Sequence, residues 1–203
     1  MVIERVITTP APLPATEETP WPAQGAWTYE DYLRLPDDGR RYEIIEGVLY
    51  VINAPNFDHQ QAVLQIAVAL ELWVRAQDAG VVLTAPFEVH LPGIAKPVQP
   101  DVLFIIAERR PTPGAKFFEG PPDLVVEVLS SNTIRTDRTV KFSAYERAGV
   151  REYWLVDPKA RSVEVYTLIE GEFALLGQFG PGEQAQSKVL AGLEVEVDRL
   201  FSP

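Results

Sequence analysis

The chain has 203 residues, 46% of them hydrophobic, with no cysteine, two histidines and a formal net charge of −11 at pH 7. That size and apolarity suit one substantial core, and the missing cysteines exclude disulfides, thiolate metal sites and thiol nucleophiles. With only His59 and His90 as imidazoles, any bound metal must rest mainly on carboxylate, carbonyl and water oxygens, which selects magnesium, manganese or calcium over zinc or copper.

Residues 1–25 carry Pro10, Pro12, Pro14, Pro20 and Pro22 and few large apolar groups, so a flexible Pro-rich arm is expected ahead of a single domain over 26–203. Thr28 is placed to cap a short helix through Leu33, closed by the turn Pro36-Asp37-Asp38-Gly39. RYEIIE (41–46) and VLYVI (48–52) read as the two strands of a hairpin, with Gly47 supplying the positive φ of its turn. Asn56 caps a long helix to about Ala79, in which Val63, Ala67, Leu70 and Val74 recur at helical spacing and Gly80 is the expected terminator. Strands are predicted over 81–90 and 98–107, and then over 123–129 (DLVVEVL), an unbroken apolar run of the kind that is covered on both faces. A second helix from about Arg135 to Ala148 stops at Gly149, and strands at 151–156, 162–168 and 172–177 follow. This order predicts an α/β fold with a mixed central β-sheet flanked by α-helices. No apolar run reaches signal-peptide or membrane-span length, so a cytoplasmic protein without a membrane partner is expected.

Two residues contradict their surroundings. Glu127 stands among Leu124, Val125, Val126, Val128 and Leu129, where an ionised carboxylate without a partner costs on the order of several kcal/mol. It must be paired, protonated or ligated. Asp101 raises the same question one strand earlier, and Pro100 before it removes a ladder donor and marks a strand entry or an edge. Carboxylates converging from adjacent strands can hold a divalent cation, which replaces their lost hydration and removes their mutual repulsion. The structural alternative is that each meets an arginine or a backbone amide, as in an ion-pair network. From Arg135 to Arg151 five bases (Arg135, Arg138, Lys141, Arg147, Arg151) face two acids (Asp137, Glu146). This local balance of +3 runs against the acidic whole and adjoins the proposed site.

Pro100-Asp101, a second strand with Glu127 and a following helix resemble the PD-(D/E)XK nucleases, the restriction-endonuclease-like superfamily. The runs RYEIIEG (41–47), PDLVVEVLSSNT (122–133), Asp137, Lys141, Tyr145 and AGVREYWLVDP (148–158) are similar to a widespread bacterial family of "putative restriction endonucleases" of unknown biological role. The resemblance spans roughly residues 27–170. It implies a magnesium site, with manganese able to substitute, at Asp101 and Glu127, and phosphodiester hydrolysis of nucleic acid, DNA foremost, leaving a 5′-phosphate and a 3′-hydroxyl. The Val128 carbonyl is a natural further ligand, since main-chain oxygens suit hard cations. One departure stands out: the superfamily pattern places lysine two residues after the glutamate, where this chain has Leu129. Lys141 would have to reach back from the helix, orient the attacking water and offset the growing negative charge. The resemblance also implies a hairpin glutamate in the site and favours Glu43, although strand alternation leaves Glu43 and Glu46 open.

His59 could touch a phosphate but reads more simply as a polar contact at a helix N-terminus. His90, Tyr153 and Trp154 read as structural, and Tyr145 as either ordering Lys141 or packing. The acidic charge and Leu129 suggest a rival reading, a nuclease-fold binding or interaction module without turnover. A second rival is a metal-free hydrolase, such as a glycosidase, using Asp101 and Glu127 as acid and base. A symmetric homodimer is expected, because a lone acidic domain offers little basic groove.

Overall fold

The computed structural model describes residues 20–201; the part of the expected Pro-rich arm before residue 20 lies outside the described residues. The last residues of that arm are fixed to the domain. Trp21 stacks on Trp27 with ring centroids 5.5 Å apart, and the Gly25 amide donates to the Gly47 carbonyl at 2.8 Å.

Helix α1 (Tyr29–Tyr32) begins at Thr28 in a capping box with Asp31. Strands β1 (Arg41–Ile45) and β2 (Val48–Ile52) form the expected hairpin. Its turn runs through Glu46 and Gly47 with φ of 51° and 71°, the double positive φ that matches strand twist. Glycine is needed there twice over, because a Cβ at Gly47 would also lie 2.4 Å from the Gly25 carbonyl oxygen. Helix α2 (Phe57–Gln77) is capped by Asn56, whose side chain accepts from the His59 amide, and it ends at Asp78 in the left-handed region, not at Gly80. Gly80 opens β3 (Gly80–Thr84) instead, where a Cβ would meet the Ile105 carbonyl oxygen at 2.1 Å.

Two of the predicted strands each divide in two. The 81–90 run breaks at Ala85-Pro86 into β3 and β4 (Glu88–Leu91), and the 98–107 run is cut at Pro100-Asp101, its first residue Val98 ending a strand that starts earlier, β5 (Ala95–Val98), and the rest forming β6 (Val102–Ile106). Proline offers no ladder donor, and at each break the chain leaves one sheet for another. Strands β7 (Phe117–Glu119) and β8 (Leu124–Val128) follow, β7 lying between the strands expected over 98–107 and 123–129. The second helix opens with a π-helical turn over Thr136–Lys141 and continues as α3 (Phe142–Ala148) to Gly149 at φ 87°. Strands β9 (Glu152–Asp157), β10 (Ser162–Ile169) and β11 (Glu172–Phe179) complete the expected set, and a ribbon of β12 (Gln184–Gln186) and β13 (Glu194–Glu196) with helix α4 (Val197–Leu200) adds to it.

The central sheet has the order β11-β10-β9-β8-β6-β3, and a second sheet the order β2-β1-β5-β4-β7. The central sheet is mixed, since β8 pairs parallel with β9 and antiparallel with β6. Its two faces are apolar and both are covered. Val102, Phe104, Val126, Val128 and Trp154 pack with Ala62, Ile66, Leu70 and Val74 of α2 and with the C-terminal ribbon. On the opposite face Leu103, Ile105, Val125, Leu129 and Tyr153 pack with Val89 and Val98 of the second sheet and Ala144 and Tyr145 of α3. Alternation along β8 therefore sends Glu127 toward α3 and the hairpin sheet.

Candidate active site

Five segments deliver the polar residues: β1, the start of α2, the β5–β6 crossing, β8 and the second helix. Asp101 sits where the chain crosses from β5 to β6. Its Oδ2 accepts from the Val128 amide at 2.9 Å and lies 3.2 Å from His59 Nε2, and its Oδ1 lies 3.5 Å from Arg41 Nη2. Glu127 Oε1 accepts from Lys141 Nζ at 3.0 Å and from the Tyr145 hydroxyl at 2.7 Å. Lys141 Nζ is also 3.0 Å from Glu43 Oε2 and 3.7 Å from Asp137 Oδ1. Glu43 Oε1 accepts from the Gln99 amide at 2.9 Å. Glu43, His59, Asp101, Glu127, Asp137 and Lys141 are each at most 6% exposed.

One helix contributes two of these groups, Asp137 and Lys141, because residues four apart share a face, and here the face lies on a π turn. The Phe142 amide reaches back five residues to the Asp137 carbonyl, which also accepts from the Tyr153 hydroxyl at 3.1 Å. The wide turn brings both Asp137 and Lys141 into the interior, a distortion that recurs at functional sites. A cavity of about 420 Å³ opens over the cluster, bounded by Asn53–Asn56 before α2, by Leu129–Thr133 before the π turn and by Lys159.

Electrostatics separates the carboxylates. Burial pushes Asp101 up, but the hydrogen bond and charge of His59, with Lys141 and Arg41, hold it below the ordinary carboxylate range. Burial raises Glu127 well above that range, aided by Asp101, Asp137 and Glu43 and opposed by Lys141. Burial also lifts Asp137, to about 6. For Lys141 burial works against the charge, yet Glu127, Glu43, Asp137 and Asp101 outweigh it and keep the ammonium protonated well above its usual value. Four carboxylates share one lysine and, at Asp101 alone, Arg41 at 3.5 Å, so negative charge is in surplus. A protein resolves such a surplus by binding protons or a cation.

Of the residues singled out in the sequence, Asp101, Glu127, Lys141 and Glu43 come together. Glu46 does not; it is exposed and pairs with Arg147 at the surface. Val128 takes part through its amide on Asp101. Leu129, at the usual lysine position, is packed into the core. Tyr145 bonds Glu127 rather than Lys141. His90 is structural, stacked on Phe117 and bonded to Glu88. Two site residues carry only weak signals in the sequence, His59 and Asp137. The signal for His59 was a polar side chain in register with Ala62, Ile66 and Leu70, and that for Asp137 an acid four residues before Lys141. The local basic balance also dissolves: Arg138 pairs with Glu164, Arg147 with Glu46 and Arg151 with Asp123, and Lys141 is buried.

The donor set suits a hard divalent cation. Both donors to Glu127 fall on Oε1, leaving Oε2 free of them, and both Asp101 and Glu127 line the cavity. Among the described residues no group of three or more His, Asp or Glu side chains is drawn together as a ready-made ligand cage. Two carboxylates with the remaining positions left to water and phosphate is the way magnesium is commonly held.

Comparison with known proteins fits this geometry. The family model described as "Uma2: Putative restriction endonuclease" matches residues 29–198. This chain belongs to the Uma2 family. The match takes in every residue of the cluster, so the Uma2 domain and the site coincide. Among solved structures, a chain described as a putative nuclease belonging to DUF820 from Anabaena variabilis ATCC 29413 has the same fold. The TM-score is 0.72 and the identity 22%, over 86% of this chain and 97% of that one. No curated protein matches. Among the described residues of this Uma2 chain, no helix is long and apolar enough to cross a membrane.

Proposed function

We propose that this Uma2 protein is a divalent-metal-dependent endonuclease that hydrolyses phosphodiester bonds in nucleic acid, with DNA the first substrate to test and magnesium, or manganese in its place, as the ion. The observation that carries the reading is the cluster of Glu43, Asp101, Glu127 and Asp137 around one buried ammonium on the floor of a cavity. A resident cation would polarise the scissile phosphate and lower the pKa of a water. Asp101 and Glu127 are the residues to hold it.

The remaining groups have separable tasks. The Val128 amide, His59 and Arg41 fix the rotamer of Asp101, and Tyr145 and Lys141 fix that of Glu127. Lys141, held charged, stabilises the negative charge that grows on the phosphate. Glu43, anchored by the Gln99 amide, holds Lys141 in place from the hairpin. The family description and the nuclease fold support this assignment.

Incubation with plasmid, single-stranded DNA and RNA in Mg²⁺, Mn²⁺ or chelator tests it. Cleavage should require the ion and disappear in Asp101→Ala and in Glu127→Ala, and undiminished cutting by both variants would refute the assignment. One observation favours a second reading, a binding module without turnover: both oxygens of Asp101 already face protein donors. Nucleic-acid binding that persists in chelator, with no cleavage in either ion, would decide for it.

A further inference from the structure

Among the described residues the two buried carboxylates outside the cluster are fully engaged. Glu152 accepts from Trp154 Nε1, Ser187 Oγ and the amides of Lys188 and Val189. Asp123 accepts from the Ile106 amide, Arg109 and Arg151. Each anchors structure, as a buried charge must. Asp137 differs. It is 1% exposed and lines the cavity, yet its Oδ1 has no hydrogen-bond partner among the described residues. Its nearest cation is Lys141 Nζ at 3.7 Å.

Hydrolysis needs a proton acceptor beside the attacking water. Lys141 cannot serve, because it is an ammonium held charged by four carboxylates. Asp101 already faces Val128, His59 and Arg41, and Glu43 does not line the cavity. Resting on the nuclease reading above, we propose that Asp137 is a catalytic residue, the general base whose Oδ1 takes the proton of the attacking water. The water oxygen bonds to phosphorus, one of its protons passes to Asp137, and the bond from phosphorus to the 3′-oxygen breaks. The leaving oxygen takes a proton from solvent, and Asp137 then releases its own. Lys141, beside Oδ1, faces the phosphate charge formed in the same step. The carboxyl, lifted to about 6 by burial, is poised for proton transfer near neutral pH. The charged and titratable groups around it are Lys141 on its own helix, Glu43 from β1, Asp101 before β6, Glu127 from β8 and Tyr153 from β9, and the neutral Thr133 hydroxyl hydrogen-bonds the carboxylate and favours its charged form. His59 Nδ1, also buried and unpartnered, is the competing acceptor.

The test measures cleavage of a labelled oligodeoxynucleotide in Mg²⁺ from pH 5 to 9 by wild type, Asp137→Asn and His59→Asn, with Mg²⁺ calorimetry and thermal melting of each. Asp137→Asn should lower kcat by about 10²–10⁴-fold with little change in KM. It should also abolish the acid limb of the rate profile, leave Mg²⁺ affinity within about threefold, and melt no lower than wild type at pH 8. A wild-type rate and profile in Asp137→Asn would overturn this role while leaving the nuclease reading intact, as would loss of the acid limb in His59→Asn alone. Absence of any cleavage by wild type would overturn both.

Discussion

Lys141 is a cation placed where solvation is lost and regained from four carboxylates, so its removal uncovers their repulsion. Lys141→Met should cost about 3–5 kcal/mol at pH 8, the range for breaking a buried ion pair from one side. The pH dependence follows from the raised carboxyls. Asp137 titrates near 6 in the folded chain against 3.8 ordinarily, so the folded state binds the extra proton between those values. The contribution of Asp137 to stability therefore falls as pH rises through that window and is level above it, while Glu127, raised well above its ordinary range, carries the fall to higher pH. Without Lys141 the carboxyls rise further and the window extends upward, so urea denaturation should show the variant's deficit shrinking between pH 8 and pH 5.5. An equal deficit at both would mean that the ammonium does not neutralise the cluster. Asp101 and Glu127 were legible in the sequence because a carboxylate among valines contradicts its setting. Lys141 and Glu43 were legible only through resemblance, since nothing in residue spacing says that positions 98 residues apart meet. His59 looked like a capping contact because only three-dimensional packing shows that its ring reaches Asp101.

Each helix entering the site depends on its first turn or its distortion. Asn56 caps α2 by accepting from the His59 amide at 3.0 Å, so the same bond starts the helix and sets the ring that holds Asp101. Asn56→Ala should lower stability by about 1 kcal/mol, the ordinary value of a cap, and weaken Mg²⁺ binding because His59 loses its fixed direction. Melting and calorimetry read the two effects separately; a lower melting temperature with unchanged Mg²⁺ affinity would confine Asn56 to capping. Hairpin, helices and apolar strands were readable because period, caps and glycines agree along each of them. The π turn was not, because no residue type in Thr136–Lys141 marks one, and only in three dimensions does the Phe142 amide reach back to the Asp137 carbonyl, which also accepts from Tyr153. Pro100 was legible as a strand entry or edge, but nothing in the alternation says that the chain changes sheets there or at Pro86, because sheet membership is set by pairing with strands distant in sequence.

The molecule as a whole sets the terms on which a polyanion can approach. The chain carries −11 formal charges, and three of the five bases between Arg135 and Arg151 are paired at the surface while Lys141 is buried. Around the cavity mouth the basic side chains are Arg41, itself near Asp101, and Lys159. Each phosphate neutralised by a base releases counterions and steepens the salt dependence by about 0.9 in a log–log plot for duplex DNA. Two bases predict a slope of about −2, far from the values of proteins with a basic groove. The central sheet, closed on both faces by apolar packing, offers no second charged face within the described residues to raise it. Fluorescence anisotropy of a labelled duplex against Glu127→Gln in Mg²⁺, from 50 to 300 mM salt, measures the slope directly. A value steeper than about −5 would require bases from elsewhere, and a second copy of the chain, checked by sedimentation at the same concentrations, would be the first source to examine.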